Sequence, residues 1–211
     1  MELYSINLVI MHDTMTPQQI IHDSIEIKSK ILKNASILKT IDELGEGLKQ
    51  VYRSKGKLMI AGNGGSAADA QHFAAEITCQ FLEKRKGRPA LALGTDTSAL
   101  TAWSNDYSYE SVFSRLVEAY GDEGDALVVI STSGNSKNLI QAAITARSKG
   151  IKVYGLLGND GGMLLQYCDS SIVIPSNETP RIQECHILMI HILCGVLDAF
   201  FIQEDSVDLN V

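Results

Sequence analysis

No two of the four cysteines in this 211-residue chain stand at C-x-x-C spacing. Cys79, Cys168, Cys185 and Cys194 therefore supply neither a zinc-ribbon pattern nor a redox pair, and they read as reduced thiols of a cytosolic protein. Basic residues are in deficit, 18 Lys and Arg against 25 Asp and Glu for a net charge of -7. That balance excludes a general surface for nucleic acid or anionic membrane, because neutralising phosphates requires clustered cations. No positive segment opens the chain, and the apolar run from Leu8 to Met11 is too short for a signal peptide, so the expected location is cytoplasmic. The longest apolar stretch, Ile187 to Ile202, is broken by His191 and Asp198. It falls short of the roughly 20 residues that span a bilayer and reads as a buried helix. Neither a repeat of fixed period nor a low-complexity tract is present.

What remains is an ordinary globular composition, 45% hydrophobic and 20% charged, long enough to bury a core without staples. Apolar positions at three- and four-residue spacing, Ile20, Ile21, Ile25 and Ile27, then Ile37, Leu38, Ile41, Leu44 and Leu48, predict two helices in an N-terminal arm over residues 1–55. From residue 56 to 203 short apolar runs alternate with helical stretches. The runs begin at Leu58, Ala90, Ala126, Val153 and Ser171. Such alternation predicts an α/β fold with a five-stranded parallel sheet flanked by helices. Residues 204–211 read as a polar tail.

Ligands of open parallel sheets sit beyond the carboxyl ends of the strands, so the loops after these runs carry the chemistry. The first is Gly62-Asn63-Gly64-Gly65-Ser66, with Ser66 as the expected N-cap of the next helix and Asp69 three residues on. Its glycines allow close approach of backbone to ligand, and the helix start adds partial positive charge. Gly62, Gly64 and Ala67 also satisfy a G-x-G-x-x-A dinucleotide pattern. The acidic residue expected about 20 positions later is missing, and Asp96 comes too late. The second loop, Ser131-Thr132-Ser133-Gly134-Asn135-Ser136, places four hydroxyls around one glycine ahead of a helix from Lys137 to Lys149. That composition suits a phosphate dianion.

His72 and Glu76 stand four apart and share a helix face. On the last helix Gln183 and His191 lie eight apart, about 80° off one line. Glu184 is closer to His191 in helical angle than Gln183 is, and periodicity does not choose between them; His186 projects elsewhere. Four metal-competent side chains thus become candidates, against the plainer reading of a surface His-Glu pair and a core histidine.

The segments Ala61-Gly62-Asn63-Gly64-Gly65-Ser66-Ala67-Ala68-Asp69-Ala70-Gln71-His72-Phe73, Asn105-Asp106-Tyr107, Ser131 to Ser136 and Arg181-Ile182-Gln183-Glu184-Cys185-His186 occur in that order. Over residues 56–202 they resemble the sugar isomerase (SIS) domain, flavodoxin-like in fold, and within it the phosphoheptose isomerases. The resemblance implies isomerisation of sedoheptulose 7-phosphate to D-glycero-D-manno-heptose 7-phosphate, for the heptose of lipopolysaccharide or capsule, by a homotetramer. It implies one Zn2+ per subunit held by His72, Glu76, Gln183 and His191, which prefers Gln183 over Glu184. Substrate contacts implied are Asn63, Gly64, Gly65, Ser66, Glu76, Asn105, Asp106, Ser131, Thr132, Ser133, Ser136 and Gln183, with Glu76 and His191 as the catalytic pair. A related branch that binds a replication initiator has lost the residues matching Glu76 and His191; here both are kept.

Overall fold

The computed structural model describes residues 15–208, with side chains to residue 206; the apolar run at Leu8 to Met11 lies outside them. Five parallel strands form one sheet in the order β2-β1-β3-β4-β5. They are β1 (Leu58–Gly62), β2 (Ala90–Ala92), β3 (Ala126–Ser131), β4 (Lys152–Leu157) and β5 (Ser170–Val173). Both β1 and β3 are buried along their whole length, as central strands covered on two faces must be. Alternation divides their side chains: Leu58, Ile60, Ala126, Val128 and Ile130 enter one core, and Met59, Ala61, Leu127 and Val129 the other.

The first core is closed by α1 (Pro17–Lys33), α2 (Ala35–Arg53), α3 (Gly65–Thr78) and α7 (Thr179–Asp208). The second is closed by α5 (Val112–Tyr120) and α6 (Lys137–Ser148), with α4 (Thr97–Asp106) packed beside them. Thr16 and Gln19 form a capping box ahead of Pro17. Asn34 ends α1 and caps α2, its Oδ1 accepting from the N–H groups of Ser36 and Ile37. Ile27, Ile31, Leu44 and Leu48 share a core with β1, β3 and α7, so the arm before residue 55 is a segment of the same hydrophobic core.

Two features differ from expectation. The last helix begins at Thr179 and continues to Asp208, so residues 204–208 are helical where a tail was expected. Asp205 holds them down by accepting from the Lys86 N–H and from Arg88 Nη2 at 2.7 Å. By length and composition α7 is long enough to cross a membrane, yet 56% of its apolar window is buried inside the fold. Its core contacts through Ile182, Met189, Ile190, Leu193, Leu197 and Phe201 account for that apolarity.

Candidate active site

Strand order reverses between β1 and β3, and this switch point is where an open α/β sheet leaves a crevice. The two glycine turns follow these two neighbouring strands. In the first, a Cβ on Gly62 would overlap the Ser66 carbonyl, and Gly64 adopts φ +58°. Gly64, and not Ser66, is the N-cap of α3. Ser66 lies two residues further in, buried, because Gly64, at positive φ, starts the helix two residues early. The Asn63 side chain is already bonded, to Asn138 on α6 and to the Tyr109 hydroxyl.

In the second turn the hydroxyls divide. Ser131 Oγ accepts from the Gly134 N–H at 3.1 Å and Ser133 Oγ from the Asn135 N–H at 3.2 Å, so these two shape the turn. Ser136 caps α6 without a side-chain bond to it, and Ser136 Oγ lies 3.4 Å from Ser131 Oγ. The loop after β4 grips the turn from behind. Asn159 Nδ2 donates to the Thr132 carbonyl at 2.8 Å, and the N–H groups of Gly158 and Leu164 to the Ser131 and Gly134 carbonyls. Those bonds engage the carbonyls of Ser131, Thr132 and Gly134 on the side of the loop after β4. A polar cavity of about 610 Å³, lined by Ser133, Asn135, Asn159, Asp160, Ser176 and Asn177, opens beside it. Gly134 is at φ +65°, and a Cβ there would overlap the Gly161 carbonyl. Gly134→Ala is expected to cost about 3 kcal/mol from the φ strain and the overlap together. A urea melt checks the stability, and sugar-phosphate titration should register weaker binding.

Asn105 and Asp106 end α4, exposed, and bond each other at 2.9 Å. The short 3-10 turn Tyr109–Ser111 follows them, and its Tyr109 hydroxyl reaches Asn63 of the first turn. Trp103 is engaged in packing: it stacks on Tyr107 and donates to Ser111 Oγ at 2.9 Å.

Helices α3 and α7 pack side by side and bring the remaining residues to two levels. At the upper level Gln183 meets the first turn, its Nε2 2.5 Å from where a Cβ on Gly65 would stand. Glu184 points away, paired with Arg181 and, at 3.9 Å, with Lys28 of α1. At the lower level His72 Nε2 and His191 Nε2 lie 3.0 Å apart, and Glu76 Oε1 is 3.4 Å from His72 Nε2. Eight residues of helix separate Gln183 from His191, about 12 Å of rise between their backbones, and the Gln183 side chain reaches the glycine turn. Asp69 lies one turn before His72; burial raises its carboxyl, opposed by His72, and its Oδ2 has no hydrogen-bond partner. His186, as expected, projects elsewhere: burial lowers it to about 4, against the bond its Nε2–H donates to the Leu157 carbonyl.

Two features of this level had no signal in the sequence. Phe81 stacks on His191 at 5.7 Å between centroids. The loop carrying it is held by the buried Asp198, which accepts from the N–H groups of Leu82 and Glu83 and from Arg85. Arg85 also donates to the Glu76 carbonyl at 2.8 Å. The Phe81–His191 and Arg85–Asp198 contacts follow no periodicity, because each crosses from a loop to a helix more than 100 residues away.

Two other places compete for attention and fall away. His22, Asp23 and Glu26 lie close enough to share a cation, but they sit on the outer face of α1 and Glu26 is paired with Lys30 at 2.8 Å. A cavity of about 530 Å³ lined by Tyr52, Arg53, Lys55, Arg88 and Phe200 lies at the amino ends of the strands. Its arginines are paired, Arg53 with Glu46 and Arg88 with Asp205.

Residues 20–158 match the SIS domain family. A phosphoheptose isomerase of Helicobacter pylori strain P12 is 48% identical over 186 residues, 85% of this chain and 97% of that protein. The chain belongs to the phosphoheptose isomerase family of SIS-domain proteins. Two solved phosphoheptose isomerases superimpose along nearly their full length. The phosphoheptose isomerase of Neisseria gonorrhoeae is 43% identical with TM-score 0.80, covering 85% of this chain and 95% of that one. A phosphoheptose isomerase from Francisella tularensis is 32% identical with TM-score 0.82, covering 86% and 96%. The match to the SIS family begins inside α1, in keeping with an arm that is part of the core.

Proposed function

We propose that the chain interconverts sedoheptulose 7-phosphate and D-glycero-D-manno-heptose 7-phosphate, the aldose-ketose isomerisation for which its family is named. The observation that carries this reading is the meeting of Glu76, His72 and His191 in the α3–α7 seam, below two turns suited to a sugar and its phosphate. Moving a proton between neighbouring carbons through an enediol needs a base at carbon and a proton carrier at the two oxygens. Glu76 is the base at carbon. His191, stacked on Phe81, moves the proton at oxygen. The Ser131–Ser136 turn and the Gly64–Ser66 helix start bind and orient the phosphate and the sugar chain; Thr132 and Ser136 supply further hydroxyls. Asn105 and Asp106 close the site from α4.

The lower level suits a zinc ion. Two imidazole nitrogens and a carboxylate oxygen face one another there, and zinc takes such N and O donors. His72, Glu76 and His191 would hold it, with Gln183 the fourth ligand of the expected set. A bound ion would supply Lewis-acid polarisation of the substrate carbonyl. The product serves heptose-containing surface polysaccharide, lipopolysaccharide or capsule, and the enzyme works in the cytoplasm as a homotetramer without nucleic-acid or membrane partners.

The test is turnover of sedoheptulose 7-phosphate before and after chelation and zinc restoration, with His191→Ala alongside. Activity is expected to disappear on chelation, return with zinc, and fall by about 10²- to 10⁴-fold in His191→Ala. Folded, zinc-loaded wild type that binds the sugar phosphate without converting it would make the chain a sugar-phosphate sensor instead.

A further inference from the structure

Asn63 belongs to the first ligand turn, yet most of the hydrogen-bonding capacity of its side chain is spent inside the protein. Its Nδ2 donates to Asn138 Oδ1 at 3.0 Å, and Asn138 Nδ2 donates back to Asn63 Oδ1 at 2.9 Å. The Tyr109 hydroxyl donates to the same Asn63 Oδ1 at 2.7 Å. A reciprocal amide pair fixes both position and plane, because each amide presents a donor to an acceptor and an acceptor to a donor. Asn138 itself is 4% exposed, and its Oδ1 also accepts from the Leu139 N–H at 3.0 Å, so it is rigid in the first turn of α6.

The three partners come from three separate ligand-bearing segments. Asn63 follows β1. Asn138 opens the helix that completes the Ser131–Ser136 turn after β3. Tyr109 sits three residues beyond Asp106, on the segment that carries Asn105. A surface pair between Lys137 and Glu110, 2.9 Å, ties the last two segments again. The amide pair therefore spans the switch point of the sheet, across which one sugar phosphate would have to reach.

We propose that Asn138 and Tyr109 are positioning residues for the reaction: through the Asn63 side chain they set the spacing between the sugar-binding turn, the phosphate-binding turn and the Asn105–Asp106 segment. Asn63 then serves the ligand through its backbone, and its side chain serves the spacing. The inference rests on the proposed sugar-phosphate site. It makes a demand that a plain structural role does not: a ligand that spans both turns feels the loss, and a ligand that fills one turn does not. Misplacement of one binding group relative to another weakens a spanning ligand without any contact to it being deleted.

Two variants test this, Tyr109→Phe, which removes one oxygen from a half-exposed ring, and Asn138→Asp, which keeps shape but sets an acceptor against Asn63 Oδ1. KM for sedoheptulose 7-phosphate is expected to rise about five- to tenfold in each, the worth of about one hydrogen bond, with kcat within about twofold. By calorimetry the dissociation constant of sedoheptulose 7-phosphate should weaken in parallel while that of inorganic phosphate stays within about twofold. The double variant should cost less than the product of the two, since both act on one oxygen. Unchanged sugar-phosphate affinity in both variants overturns the proposal, and so does an equal loss for inorganic phosphate, which would mean that the second turn itself had collapsed. Wild type that binds the heptose phosphate without turnover sinks the isomerase reading alone, because the ratio of the two affinities still decides the role of Asn138 and Tyr109.

Discussion

Glu76→Gln is expected to lower turnover of sedoheptulose 7-phosphate by about 10²- to 10⁴-fold, the usual weight of a positioned acid-base group. The substitution keeps volume and shape, so its effect isolates the carboxylate. Nothing else about position 76 should move. Its carbonyl is held by Arg85 Nη2 at 2.8 Å, and its neighbours Phe73 and Ile77 are buried in the first core. The melting temperature should therefore stay within about 2 °C of wild type, and the affinity for the sugar phosphate, held mainly by the two turns, should change little. A variant that retains more than about a tenth of wild-type kcat would remove Glu76 from the proton transfer and leave it at most a ligand.

Asp198→Ala is expected to cost about 3–5 kcal/mol, the penalty for leaving one member of a buried ion pair without its partner. Arg85 and Asp198 side chains are 1% and 3% exposed, so the stranded guanidinium has no water to turn to. For a chain of this size the loss corresponds to roughly 10 °C in melting temperature. The same clamp fixes the Phe81 loop against His191, so residual folded protein should also lose kcat. The pair carries a pH signature. Burial opposes ionisation of Asp198, but Arg85 and the N–H groups of Glu83 and Leu82 outweigh it, and the carboxyl is held below the ordinary Asp range. A lowered folded value means that its stabilisation is fully present above the unfolded value of about 3.9 and is lost as pH falls below that. Wild type should thus lose stability on acidification below about pH 4 by more than Asp198→Ala does. Urea melts of both proteins across pH 3 to 7 would detect it, and parallel curves would contradict the assignment.

The strands and most helices were legible because their signals are local. Continuous apolar runs at Leu58, Ala126 and Val153 need no partner to be read as buried strands, and the 3.6-residue spacing of α2 and α6 marks their inner faces. The two glycine turns were legible for a similar reason: glycines and hydroxyls at strand ends act through backbone within five or six residues. His72, Glu76 and His191 were legible as candidates, two on one helix face and the third on the last helix, against the plainer reading of a surface pair and a core histidine; the structure brings them to one seam.

Register between distant segments was beyond that reach. Periodicity could not choose Gln183 over Glu184; the packing of α7 did, with Gly65 leaving room for one and Arg181 drawing off the other. It could not tell that Gln183 stands about two turns above His191 beside a glycine turn, that Gly64 rather than Ser66 begins α3, or that α7 runs on through residue 204. Nor could it find Asn138, Tyr109, Asn159, Phe81 and the Arg85–Asp198 clamp, whose partners lie tens of residues away and whose side-chain types are common. Composition and local pattern by themselves determined the fold class, the two turns and the list of reactive side chains. Only tertiary packing decided which of those side chains face one another, because that depends on helix register across the seam and on strand order at the switch point, and neither is written in any short window of sequence.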